Sequence, residues 1–153
     1  MNDLHEKYWP FLQMLLKNGV YEVRCTACLC MVLFLKTNYY EKKRMEIVKY
    51  VNESFFNSKS YFHRMVYLDF VSHSTTYCSL NFLKFNVIPE CFKLAQDRVP
   101  NVRRKLATIM VRIRRRIDPN DDDNLVKFNE TVQILKKDMD LDVFYVKFLN
   151  LLQ

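Results

Sequence analysis

Glycine is almost absent from this 153-residue chain, which contains only Gly19 and four prolines. Sheet proteins of this length need many tight turns, and several turn types depend on glycine for a positive φ angle. Long helices joined by short polar links have no such requirement. Half of the residues are apolar, which is enough for a core and is not typical of a disordered chain. The composition therefore predicts an all-α fold.

The chain also lacks any uncharged apolar run that approaches the ~20 residues a membrane-spanning helix needs. It shows no N-terminal apolar segment with a cleavage site, and its five cysteines are an odd number. These features predict a reduced, cytoplasmic setting with no membrane contact.

Charge is unevenly distributed along a chain whose net charge is +7. Between Arg98 and Arg116 there are eight basic residues and no acid, whereas Asp118 to Asp142 is rich in acids. The run Arg112–Arg116 favours an alternative function, a basic helical module that binds nucleic acid or another acidic partner. Aromatic residues do not interleave with it, and basic residues also complement the end of a helix. Nucleic acid is therefore the weaker alternative.

A pattern of about forty residues occurs four times. Each copy begins a helix with a similar segment: Val20–Arg24, Ser60–Arg64, Val99–Arg103 and Asp140–Phe144. Six residues before the last position of each segment stands a turn or capping residue: Asn18, Ser58, Asp97 and Asp138. The copies predict four repeats in one domain, residues 1–153, with approximate bounds 4–37, 38–79, 80–118 and 119–153.

Apolar residues recur at steps of three and four, as helices with one buried face require. First helices are predicted at His5–Lys17, Tyr40–Phe56, Phe82–Gln96 and Leu125–Lys137. Second helices are predicted at Tyr21–Lys36, Tyr61–Tyr77, Asn101–Arg116 and Leu141–Leu152. Short turns make each pair antiparallel, and a lone hairpin cannot bury its apolar face. The expected fold is an α-solenoid of about four hairpins, an armadillo-like superhelix.

The spacing of Asp97 and Arg103, with Pro89 in the preceding helix, resembles the HEAT-repeat consensus. The segments Lys59–Met65 and Leu94–Arg103 resemble the C-terminal repeats of HEAT-repeat scaffold and regulatory subunits of serine/threonine phosphatases of the 2A and 4 type. The resemblance covers about residues 8 to 152. Phe144 departs from the basic residue expected there, and Tyr50 and Glu130 stand where proline would align.

The resemblance implies a non-catalytic scaffold whose partner is a serine/threonine phosphatase catalytic subunit. In such scaffolds the turns of successive hairpins grip the partner, and Tyr21, Tyr61 and Val99 match turn positions of that kind. Exposed aromatic and apolar turn residues also suit interface anchors. The predicted partner-binding residues are Tyr21, Lys59, Tyr61, Arg98, Val99, Met139 and Leu141.

A second set of turn residues is predicted to be structural. An acid in the turn can cap the second helix, and an arginine one turn later can reach the acid of its own or the next repeat. Each exposed pair of this kind contributes only ~0–1 kcal/mol. The predicted ladder consists of Asn18, Arg24, Ser58, Arg64, Asp97 and Arg103.

The sequence offers little for catalysis or for a cofactor. Cys25, Cys28 and Cys30 lie on one helix without the second ligand pair that zinc requires, so we predict no metal site. The histidines are scattered, and no glycine-rich phosphate loop is present. We therefore expect no enzyme activity and no cofactor.

The two end helices carry apolar residues that a solenoid would normally cover. They are Tyr8, Trp9, Phe11 and Leu12 in the first helix, and Phe144, Val146, Phe148 and Leu151 in the last. We expect at least one of these helices to show an apolar face and to support self-association.

Overall fold

The computed structural model describes residues 2–38 and 40–150, with side chains for 6–38 and 40–146. Nine α-helices form in these residues, and no strand occurs among them. They are α1 Asn2–Asn18, α2 Tyr21–Thr37, α3 Glu41–Val51, α4 Tyr61–Tyr77, α5 Leu80–Asn86, α6 Ile88–Phe92, α7 Pro100–Arg114, α8 Asp122–Lys136 and α9 Leu141–Asn150. The predicted all-α class is confirmed. No described helix is long and apolar enough to cross a membrane.

The chain divides into two compact units, Met1–Tyr77 and Cys78–Gln153. The first unit contains hairpin 1 (α1 and α2) and hairpin 2 (α3 and α4). The second contains hairpin 3 (α5 to α7) and hairpin 4 (α8 and α9). The four repeat boundaries and their union in one domain stay a prediction.

In the first unit, α1 packs against α2, and α2 packs against α4 of the next hairpin. Leu16, Met31, Leu35 and Leu68 are fully buried between these helices. Burial of each large side chain of this kind stabilises the fold by roughly 1.5–3 kcal/mol. An edge-to-face contact between Trp9 and Tyr50, with ring centroids 5.2 Å apart, joins α1 to α3.

The second unit repeats this arrangement. The second helices α7 and α9 pack together, and α6 packs against α8. Leu106, Ile113 and Val143 are completely buried. The rings of Phe92 and Phe128 meet edge to face at 6.2 Å, which joins the first helices of hairpins 3 and 4.

The first helix of hairpin 3 is not the continuous Phe82–Gln96 helix that periodicity predicts. It breaks after α5 at Val87, where φ is −128°, restarts as α6, and ends in a 3₁₀ turn, Lys93–Gln96. Pro89 lies in the first turn of α6, where its missing N–H costs least, and it cannot supply the hydrogen bond that a continuous helix would need at this point. The bounds of α4, by contrast, agree with the predicted Tyr61–Tyr77.

The link between hairpins 3 and 4 is held by a buried carboxylate. Asp121 precedes α8 and accepts hydrogen bonds from the Asn124 backbone at 3.4 Å and the Asn124 side chain at 2.7 Å. Lys84 approaches the same carboxylate at 3.4 Å. Burial raises the pKa of Asp121, but these contacts outweigh burial and leave its pKa lowered. The carboxylate therefore stays charged and caps α8.

Candidate partner-binding surface

Three of the four intra-hairpin turns share one local structure. A side chain at the start of each turn accepts a hydrogen bond from the backbone two residues later, a common way to fix a turn. The pairs are Ser60 to Ser58 at 3.2 Å, Val99 to Asp97 at 2.8 Å, and Asp140 to Asp138 at 2.9 Å. The side chains therefore shape the turn before the second helix. This differs from the direct helix cap that the sequence suggested for Asp97.

The first turn is built differently, around Gly19. Its N–H donates to the Leu15 carbonyl at 2.9 Å. A β-carbon at this position would lie 2.6 Å from the same carbonyl oxygen, which is too close for any side chain. Glycine here is required by the close approach of the backbone, and Asn18 ends α1 directly before it.

The ladder arginines make the same contact in three hairpins. Each is the fourth residue of its helix and donates from Nη1 to a carbonyl of the preceding turn. Arg24 binds Gly19 at 2.9 Å, Arg64 binds Ser58 at 2.8 Å and Lys59 at 3.1 Å, and Arg103 binds Asp97 at 2.7 Å. Each guanidinium thus ties its helix to the turn that precedes it.

Arg103 also reaches the next hairpin. Its Nε and Nη2 donate to the two carboxylate oxygens of Asp138 at 2.6 and 2.9 Å, a bidentate pair. The hydrogen bond to Asp138 raises the pKa of Arg103, and the same bond lowers the pKa of Asp138. Both groups are therefore charged at neutral pH. Phe144 occupies the corresponding position of the last hairpin and cannot continue the pairing.

The predicted partner-binding residues differ in exposure. Tyr21 is 56% exposed, Met139 97% and Leu141 67%. Lys59 and Arg98 are also exposed, whereas Tyr61 and Val99 are half-buried. Five of the seven are therefore open to a partner, and two contribute only part of their surface.

Sequence reasoning missed Phe62 as a component of this surface. Its ring stacks on Tyr61 with centroids 4.1 Å apart, and it is more exposed than Tyr61 itself. The signal was available, since the two aromatic residues are adjacent in the first turn of α4. Together they form one aromatic platform at the second turn.

Tyr21 has polar neighbours in its own unit. A hydrogen bond with the Cys25 thiol raises the pKa of Tyr21, and the negative charge of Asp69 adds to this effect. The phenol is therefore neutral under ordinary conditions. It presents an apolar ring with one polar end, which is the character of many interface anchors.

Within each unit the turns lie at one edge. Tyr21 and Tyr61 begin α2 and α4, which pack together in the first unit. Val99 and Leu141 stand at the starts of α7 and α9, which pack together in the second unit. Each unit thus brings two of its predicted anchors to the same edge.

The basic segment is only partly available for a partner. Arg103 is bound to Asp138, Arg104 lies 3.8 Å from Asp142, and Arg116 donates to the Cys78 carbonyl at 2.7 Å. Arg114 and Arg115 are exposed at the end of α7. The basic residues between Arg98 and Arg116 therefore do not form one continuous exposed basic face.

Cys28, Cys91 and His63 make local contacts within their own units. Cys28 is buried with its Sγ 3.9 Å from the Val66 carbonyl, and burial raises the pKa of Cys91. His63 Nδ1 lies 3.0 Å from Ser58 Oγ, and burial followed by the charges of nearby basic residues lowers its pKa. Among the described residues, no three potential ligands lie close enough to hold a metal ion.

Comparison with known proteins finds a similarity that covers most of the chain. The chain is 27% identical over 146 residues to serine/threonine-protein phosphatase 4 regulatory subunit 4 of Homo sapiens and of Mus musculus. The match covers 91% of this chain but only 17% of each relative. No family model matches the sequence.

Proposed function

We propose that this chain is a non-catalytic regulatory or scaffold protein of HEAT-repeat type that binds a serine/threonine phosphatase catalytic subunit of the 2A/4 type. The observation that carries the proposal is the similarity to a phosphatase regulatory subunit across 91% of the chain. The HEAT assignment, the likeness to the phosphatase 2A scaffold subunit and a cytoplasmic location belong to the same proposal.

The exposed residues of the intra-hairpin turns support this function. Large exposed apolar side chains such as Met139 and Leu141 contribute little to the stability of the fold, but they offer apolar surface that a partner can bury. The turn hydrogen bonds and ladder arginines hold the backbone beneath them. The mechanism is positional: the turns at the edge of each unit hold the catalytic subunit and orient it toward its substrates.

Binding of phosphatase catalytic subunits to the purified chain tests this proposal. We expect Tyr21→Ala and Tyr61→Ala each to weaken binding by about 2 kcal/mol or more, because each removes an aromatic anchor. Lys59→Ala removes a flexible charge at the rim and is expected to cost less than about 1 kcal/mol. Isothermal titration with purified catalytic subunits measures these differences.

Phe85→Ala is the matched control, since Phe85 is 73% exposed but is far from the turns in the chain. Circular dichroism of each variant shows whether its helices are intact. Folded Tyr21 and Tyr61 variants that bind as tightly as the parent would contradict the turn surface. Absence of binding by the parent would contradict the phosphatase proposal as a whole.

One observation favours a second function. Arg98, Arg104, Arg112, Arg114 and Arg115 all remain exposed. An acidic partner, including nucleic acid, is therefore the alternative, and its salt dependence distinguishes it from the first proposal.

A further inference from the structure

The ladder arginine of hairpin 1 makes the first of the two contacts that Arg103 makes. Arg24 donates from Nη1 to the Gly19 carbonyl at 2.9 Å, as Arg103 does to the Asp97 carbonyl at 2.7 Å. The Nε and Nη2 atoms of Arg103 also bind the two carboxylate oxygens of Asp138 in the next turn, at 2.6 and 2.9 Å. Arg24 forms no ion pair within the described part of the chain. The two arginines therefore share one contact and differ in the other.

The difference comes from the turn of hairpin 2, where Ser58 stands at the position of Asp138. Ser58 Oγ accepts from the Ser60 N–H at 3.2 Å, just as Asp138 Oδ1 accepts from the Asp140 N–H at 2.9 Å. Ser58 Oγ also lies 3.0 Å from His63 Nδ1. A hydroxyl has one oxygen and no charge. It therefore shapes the turn as Asp138 does, but it does not supply the second oxygen or the negative charge that an arginine fork binds.

A second cation lies near the same turn. Lys17 is exposed in the last turn of α1. Burial lowers the pKa of His63, and the positive charges of Lys17 and Arg24 lower it further. Both cations therefore act on the ring that contacts Ser58. Like Arg24, Lys17 forms no ion pair among the residues that the structure describes.

These groups form the positive half of a carboxylate site. The turns of hairpins 1 and 2, residues 17–20 and 57–60, contain no acid. The planar fork of an arginine matches the two oxygens of a carboxylate, and Arg103 makes this pair at the equivalent position of hairpin 3. Arg24 is half-buried, so its charge is screened less than that of a fully exposed residue. An acid of another protein can therefore supply the carboxylate that hairpin 2 does not.

Aromatic residues border this site. Tyr61 and Phe62 begin α4 shortly after Ser58, and their rings stack with centroids 4.1 Å apart. Tyr21 stands three residues before Arg24 at the start of α2, which packs against α4. Phe62 is 53% exposed and Tyr21 is 56% exposed. A partner that covers these rings also removes water from the neighbouring cations, which strengthens an ion pair formed there.

We propose that Arg24 and Lys17, beside Ser58, bind an aspartate or glutamate side chain of the partner protein, in the way that Arg103 binds Asp138. This inference rests on the proposed function, which makes the partner a phosphatase catalytic subunit. It adds the chemistry of one contact: the part of the partner that covers the turns of hairpins 1 and 2 carries an acid next to the surface that meets the aromatic rings.

Ser58→Asp tests the site on the full chain without a partner. It introduces a carboxylate where hairpins 3 and 4 carry Asp97 and Asp138, whereas Ser58→Asn makes nearly the same change in shape without the charge. At about pH 8 His63, whose pKa is lowered, is neutral. We expect a higher urea midpoint at that pH for Ser58→Asp than for Ser58→Asn, because the new carboxylate pairs with Arg24. The difference should shrink when Arg24→Lys is added to both, since lysine lacks the fork. Equal midpoints for Ser58→Asp and Ser58→Asn would overturn the proposal.

Isothermal titration with a purified phosphatase catalytic subunit tests whether a partner uses the site. In Ser58→Asp the new carboxylate occupies Arg24 and repels an acid of the partner. We therefore expect its affinity to be at least about tenfold weaker than that of Ser58→Asn, which should bind like the parent. Circular dichroism confirms that both variants remain helical.

The two measurements separate this inference from the proposed function. If the parent binds the catalytic subunit and the two Ser58 variants bind equally well, the inference is overturned and the phosphatase proposal stands. If Ser58→Asp stabilises the chain but the parent binds no catalytic subunit, the phosphatase proposal fails, while the carboxylate site is supported.

Discussion

At the scale of single residues, Arg103 uses two edges of one guanidinium for two purposes. Nη1 binds the turn of its own hairpin, while Nε and Nη2 bind Asp138 in the following turn. The planar group holds its donors in fixed directions, so ordering one contact orders the other. A lysine at this position has no such fork and could not make both contacts in the same way.

Replacing Arg103 by methionine is expected to lower the free energy of unfolding by about 2–4 kcal/mol. The substitution keeps an apolar stem but leaves the Asp138 carboxylate, whose side chain is only 6% exposed, without its cation, which is the costly way to break such a pair. Urea unfolding followed by circular dichroism measures the loss.

The neighbouring residue supplies the control. Arg104 lies 3.8 Å from Asp142, and both side chains are largely exposed, so Arg104→Met is expected to cost less than about 1 kcal/mol.

The pH dependence of stability gives a second check. Because the pKa of Asp138 is lowered in the folded state, its stabilisation is present above the unfolded value of about 3.9 and is lost as pH falls further. The difference between parent and Asp138→Asn should therefore shrink below about pH 4. Equal losses for the two arginine variants would contradict this account.

The predicted surface shows what residue patterns cannot decide. Repeat spacing located the four turns, but exposure depends on neighbours that spacing does not specify. Tyr61 is half-buried while its neighbour Phe62, with which it stacks, is exposed. The pattern treated Tyr61 as the anchor and omitted Phe62, because only packing determines which of two adjacent rings faces solvent.

At the scale of helices, the two aligned prolines behave differently. Pro10 lies inside α1, which continues through it, whereas the helix around Pro89 breaks into α5 and α6. Both stand in segments with the same apolar period, so periodicity predicted two continuous helices. At the break, Val87 and Ile88 are buried by tertiary packing, which compensates for the interrupted backbone. Sequence signals predicted where helices occur but not where one predicted helix is interrupted.

Helix α8 provides a test of a single cap. Asp121→Ala removes the acceptor for the Asn124 backbone and leaves Lys84 without its carboxylate. We expect the free energy of unfolding to fall by about 1–2 kcal/mol, as for other lost caps. Thermal or urea unfolding measures the change.

Asp118→Ala is the comparison variant, since Asp118 is exposed and its side chain accepts from the Asn120 backbone at 2.8 Å. The free energy of unfolding of this variant is expected to fall by no more than about 0.5 kcal/mol, which is usual for surface positions. If Asp121→Ala were equally mild, the buried carboxylate would not be what fixes the start of α8.

At the scale of the whole molecule, the chain combines two kinds of surface. The intra-hairpin turns present apolar and aromatic groups, while the ends of α7 present exposed arginines. These surfaces respond differently to salt. The free energy of burying apolar groups changes little between low and moderate salt. Binding to phosphates releases counterions, so its affinity falls steeply as the salt concentration rises.

Salt dependence therefore separates the two proposed functions in one experiment. The parent and Arg115→Ala are titrated against a phosphatase catalytic subunit and against duplex DNA, each at about 50 and 200 mM salt. If the turns carry binding, phosphatase affinity falls only a few-fold with salt and is the same in both proteins, because Arg115 lies at the end of α7 away from the turn. DNA bound through six or more phosphate contacts would instead lose about a thousandfold in affinity over the same range. Tight, salt-sensitive DNA binding that Arg115→Ala weakens, together with no phosphatase binding, would reverse the order of the two functions. In that case the basic end of α7, and not the intra-hairpin turns, would be the site that binds the partner.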